Sequence, residues 1–148
     1  MNKLCTFLFL TVLIGRDLNQ SLQIAGKNIL EIKKAMSSVP LNQSKGMQWL
    51  ITHMPAKDLQ NVKADFLLLN SNIAHHSREN TKWGQEIPED LFFSYVLPYA
   101  NLNETVESWR LDFFNKFYPM VKDMQSVYDA VVFLNQKIFD ELGVIYST

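Results

Sequence analysis

Apolar positions recur along most of this chain at intervals of three and four, the spacing of one face of an α-helix. Leu22, Ala25, Ile29, Ile32 and Met36 follow it, with Lys27, Lys33 and Lys34 mainly off the stripe, and Gly26 weakens the segment a little. The pattern lapses over Ser37–Ser44, a loop containing Pro40. A short helix with Met47, Trp49, Leu50 and His53 comes next, stopped by Pro55, and Asp58 suits the cap of the segment after it. Val62, Phe66, Leu69 and Ile73 mark one face of a longer helix ending near Arg78. Leu67, Leu68 and Ala74 widen that stripe, so this helix is expected to be the most buried. From Glu79 to Ile87 the chain reads as polar loop apart from Trp83. Pro88 then starts a helix whose first turn carries Glu89 and Asp90 at the positive end of the dipole.

The stretch around which the rest is arranged is Phe92–Arg110, FFSYVLPYANLNETVESWR. Pro98 is expected to close off helix and to push Leu97 towards extended backbone. Asn103 is expected to cap a helix over Glu104–Tyr118, with Val106, Trp109, Phe113 and Phe117 on one side and Pro119 as its stop. Ser126 opens the last helix, Val127, Val131, Leu134, Ile138 and Leu142 keep its spacing, and Gly143 sits where a left-handed cap belongs. Val144, Ile145 and Tyr146 read as the first residues of a strand. The fold class is all-α: an irregular bundle of about five to seven helices after an N-terminal signal-type segment.

Residues 1–16 stand apart as that leader. Lys3 precedes an uncharged apolar run, Leu4–Gly15, too short to span a bilayer and the right length for a secretory segment; a buried core helix is the other reading. Leu13-Ile14-Gly15 resembles the residues before the lipidated cysteine of bacterial lipoproteins. Arg16 follows it here and has no thiol, so a lipid anchor is excluded at that position. Export to the periplasm or cell surface is the expectation, with membrane contact only through the leader. Residues 17–45 read as an N-terminal helix and loop, and 46–148 as a helical domain.

A net charge of −1 supplies no field for nucleic acid. Cys5 is the only cysteine and lies in the leader, which leaves the remainder without an internal disulfide or a thiol nucleophile. His75 and His76 are adjacent and point about a hundred degrees apart on a helix, whereas a metal pair wants residues three or four apart. Asp65, Glu86, Glu89, Asp90, Glu104 and Glu107 read as helix-surface charge. Neither a catalytic nor a metal or cofactor residue is assigned. Trp49, Trp83 and Trp109 read as core anchors, and Trp109→Ala would then cost roughly 3–5 kcal/mol. The remaining polar constellation is Tyr99, Asn101, Asn103, Glu104 and Arg110 beside the proline-fixed turn. It is either local capping with a surface ion pair, or a buried hydrogen-bonded joint that docks a neighbouring domain.

Three segments, MPAKDLQNVKADFLLLN (Met54–Asn70), IPEDLFFSYVLPYANLNETVESWR (Ile87–Arg110) and LNQKIFDELGVIYST (Leu134–Thr148), resemble one bacterial family. It is the helical region preceding the catalytic core in secreted proteins with a transglutaminase-like domain, of the papain-like cysteine-peptidase superfamily. The resemblance covers roughly Gly46–Thr148, and LPYA-x-LNE-x-x-E-x-WR is its specific part. It implies a cysteine at a helix N-terminus, then histidine and aspartate, beyond the LGVxYST-like segment. No position of this chain matches one of those three. The implied role is a helical scaffold that packs on such a core and is catalytically silent by itself. A complete exported module that binds a protein partner is the alternative.

Overall fold

The structure, a computed structural model, describes residues 16–100 and 106–143. The helices are α1 (Leu18–Ala25), α2 (Ile29–Ser38), α3 (Ser44–His53), α4 (Ala56–Leu59), α5 (Ala64–Glu79), α6 (Lys82–Gln85), α7 (Glu89–Leu91), α8 (Trp109–Val121) and α9 (Val127–Leu142). No strand occurs among the described residues, and the architecture is the expected irregular all-helical bundle, six of its helices being eight residues or longer.

The first apolar stripe is two helices rather than one. Gly26 sits at φ 54, a conformation open to glycine and costly for a side chain, and the chain passes through a 3-10 turn, Gly26–Asn28, before α-helix resumes at Ile29. The break brings Asn28 over the α4–α5 connection, where its amide donates to the carbonyls of Leu59 at 2.9 Å and Val62 at 2.8 Å. Glu31 then caps the next helix from outside: its carboxylate accepts the Ala64 N–H at 2.8 Å. Ala25, Ile32 and Ala35 are buried in the same core as Met47, Ile51, Leu67, Phe92 and Leu97. Residues 17–45 therefore share their packing with the residues that follow.

α5 runs through the middle of this core. Its buried residues are Ala64, Leu67, Asn70, Ser71, Ile73, Ala74 and His75, so Ile73 of the expected stripe is inside whereas Leu69 is an exposed position. The inward face is thus turned by about one position from the purely apolar stripe. Polar residues fill it because Gln43 reaches in, accepting from Ser71 Oγ at 3.2 Å and donating to Asn72 at 3.3 Å.

The last two helices differ from expectation at their ends. α8 begins at Trp109, with Val106–Ser108 outside the helix, not at Glu104. Pro119 lies within α8 instead of stopping it: the Asn115 carbonyl forfeits one bond, while burial of Phe117 and Val121 carries the helix on to Val121. α9 starts as expected, the Ser126 hydroxyl accepting the Asp129 N–H, and it ends at Gly143 in the left-handed conformation. The segment Val144–Tyr146 and the leader before Arg16 lie outside the described residues.

Trp109 is 38% exposed, which corrects its reading as a core anchor; Phe92 is fully buried. Phe92→Ala should accordingly lower unfolding free energy by about 3–5 kcal/mol. Trp109→Ala should lower it by only about 1–2 kcal/mol. Equilibrium denaturation of the two variants side by side checks the ranking.

Candidate functional site

Pro88 leads into α7, and the chain passes directly into a wider π-helical turn, Phe92–Val96. The Leu97 N–H closes that turn on the Phe92 carbonyl at 2.9 Å. Leu97 is helical (φ −69°, ψ −36°) and not extended, so the steric bias of Pro98 is overridden. The override has a visible source. With Phe92, Phe93 and Leu97 all buried, the wide turn is what points three large side chains inward.

Helix ends before Pro98, so the carbonyls of residues 96–99 lack the donors a further turn would bring. The start of α8 supplies them. Arg110 Nη1 donates to Val96 O at 2.9 Å, and Nη2 donates to Leu97 O at 3.5 Å and to Pro98 O. Trp109 Nε1 donates to Tyr99 O at 2.9 Å. Arg110 is buried, its guanidinium lies 5.1 Å from the Trp109 ring, and burial pulls its pKa down to about 10. Of the five residues expected to form a joint, Tyr99 and Arg110 are thus brought to one corner. Asn101, Asn103 and Glu104 lie outside the described residues.

On the other side of Tyr99 a cleft of about 460 Å³ opens between α3, α4 and the corner. The Tyr99 hydroxyl donates to Asp58 Oδ2 at 2.7 Å, and its ring meets Phe66 edge-on at 5.4 Å. Burial, with the Asp58 bond, holds the phenol well above its ordinary pKa. Asp58 is therefore no cap: it sits inside α4 and faces Tyr99. Across the cleft His53 stacks on Trp49, ring centroids 4.1 Å apart and 10° from parallel, with Nδ1 2.8 Å from the Trp49 carbonyl. The four-residue spacing of Trp49 and His53 was a usable sign of this stack. The link from Asp58 to Tyr99 spans forty-one positions and left no local pattern.

The other histidines are structural. His76 packs edge-on against Phe114 and Tyr118 of α8. His75 is buried, 5.0 Å from the Phe92 ring, with Nδ1 3.7 Å from Glu79 and Nε2 without a partner. A methyl at Gly46 would come within 2.8 Å of that Nε2, so a larger residue there would require the His75 ring to shift. Among the described residues no group of three histidine, cysteine or acidic side chains could hold a metal ion, and no helix is long and apolar enough to cross a membrane.

A second, smaller groove of about 200 Å³ lies between α5, α6, α8 and α9 and is almost wholly apolar. Trp83, placed by α6 instead of a loop, closes one side and donates from Nε1 to Val121 O at 2.9 Å. Beyond it α9 packs against α8 and α6 with Ala130 buried, and Lys116 of α8 is paired to Glu141 at 2.7 Å. No family model, curated protein or solved structure matches this chain.

Lysine cannot span the carbonyls that the guanidinium fork reaches. Arg110→Lys should therefore destabilise the protein by roughly 2–3 kcal/mol in denaturant titration. His75 gives a pH signature. Burial, its largest influence, lowers its pKa below 6.5, with Arg78 acting the same way and Glu79 opposing. The unfolded chain then takes up a proton that the folded chain refuses, so stability falls as pH drops below about 6.5. Melting curves from about pH 7.5 to about pH 5.5 should show that loss, and His75→Gln should flatten it.

Proposed function

We propose that the chain is a helical scaffold that docks on a transglutaminase-like protein core and contributes packing surface in place of catalytic groups. The observation that carries this reading is the outer face of α9. Tyr128 is 76% and Val131 57% exposed, and Val132 lies beside them, on the side of the helix away from buried Ala130. By helical spacing these three fall within about a hundred degrees of arc, a stripe that an isolated surface helix has no reason to carry. α9 also carries the start of the LNQKIFDELGVIYST segment, after which the resembled family places its core. The exposed α8 residues Trp109, Phe113 and Met120, likewise on one face by spacing, extend the apolar surface available to a partner.

The polar groups near the corner support the silent half of the reading. Arg110 is committed to backbone carbonyls, Tyr99 to Asp58, and His53 Nδ1 to the Trp49 carbonyl. Such groups position backbone and do not activate a nucleophile.

A photo-crosslinking residue placed at Val131 of the full chain in its native host tests the proposal. The expected adduct joins the chain to a protein holding a transglutaminase-like core, and Val132→Asp should abolish it. Adducts solely with the chain itself or with proteins lacking that core, or no adduct, would contradict the assignment.

A further inference from the structure

We propose that the cleft between α3, α4 and the corner binds an alkylated ammonium cation. Its walls are aromatic and apolar, formed by Trp49, His53, Tyr95 and Tyr99 with Pro55 and Pro98, and at about 460 Å³ it falls in the size range of small-ligand sites. Asp58 is the acidic group in that wall, and no lysine or arginine lines it. Tyr99 engages Asp58 Oδ2, which leaves Oδ1 without a partner among the described residues. At the mouth, Tyr95 is 80% exposed although it sits between buried Phe93 and buried Leu97. Its ring contributes little to the core and stands free to cover a ligand.

The carboxylate decides between ligand chemistries. A neutral apolar occupant would strip water from Asp58 and return no interaction, which is unfavourable for a charged group. An anion would meet the same charge with repulsion. A primary ammonium is strongly hydrated and resists entering an aromatic wall. Alkylation removes most of that hydration and keeps the charge, so the cation can be attracted by ring faces and by the carboxylate together. A free quaternary amine and a methylated lysine side chain share this chemistry. The cleft is built from elements other than α9, so this site and the α9 docking face stand or fall separately.

Calorimetric titration of the full chain should use three probes: choline, a capped peptide with one trimethyl-lysine, and the uncharged carbon isostere of choline. At least one cation is expected to bind saturably and about tenfold more tightly than the isostere. Choline alone would identify a free ligand, and the peptide alone a protein-borne one. Tyr95→Ala and Asp58→Asn should each weaken binding by about threefold to tenfold. Tyr95 is exposed, so its variant keeps the wild-type melting temperature and separates loss of binding from loss of fold. Binding of the isostere as tight as the cations, no saturable binding by either cation, or unchanged affinity in Tyr95→Ala would overturn the proposal.

Discussion

Four successive carbonyls, those of Val96, Leu97, Pro98 and Tyr99, impose the constraint on which the second half of the molecule depends. They come where the helical turn ends at Pro98, next to side chains that are buried. A carbonyl left without a donor costs up to about 1–3 kcal/mol where it is buried, as that of Leu97 is, and less where it is half-buried, as the other three are. Two consecutive residues of the next helix meet the whole set: the Arg110 fork takes three and the Trp109 indole takes the fourth. Arginine suits the task because its donors are planar and rigidly spaced. Carbonyl dipoles replace the water given up by its two terminal nitrogens, while Nε is buried without a partner.

That clamp explains features that otherwise look unrelated. It sets where α8 begins, since Trp109 and Arg110 must both face the corner, and so Val106–Ser108 stay outside the helix. It adds to the burial of Phe92, Phe93 and Leu97 in keeping Leu97 in a helical conformation that Pro98 disfavours. It also determines how α8 leaves the core, and α9 is supported by α8 together with α6. α9 is thinly attached by comparison. Ala130 is its one fully buried apolar residue among those described, its ion pair with Lys116 of α8 is partly solvated, and the Lys137–Glu141 pair lies within the helix itself. The two halves therefore contrast: residues 17–99 close around a continuous core, while α8 and α9 present apolar surface outward.

Helix existence was legible because the spacing of apolar residues is a direct consequence of helical geometry. Pro88, Ser126 and Gly143 marked ends correctly for the same local reason. Errors arose where a distant residue overrode a local preference. Asn103 was the better local cap, yet the start of α8 answers to carbonyls about a dozen residues upstream. Pro119 reads as a stop, but the packing of Phe117 and Val121 outweighs one lost bond. Gly26 looked like a weak point within a helix and is a break, because Asn28 finds two carbonyls across the fold. In the candidate site, Tyr99 and Arg110 stood out from sequence because they flank a proline turn. Asp58 reads as a cap from its neighbours alone, since its partner Tyr99 lies on a different part of the chain and no periodicity connects them.

Amide hydrogen exchange across the corner tests the clamp most directly, comparing the wild-type chain with Arg110→Leu. If the guanidinium holds the corner, the Leu97 amide and the Trp109 indole should lose protection in the variant. The amides of α2 and α5, anchored by Asn28 and Glu31, should keep theirs. Unchanged protection at Leu97, or an equal loss throughout α2 and α5, would contradict the account.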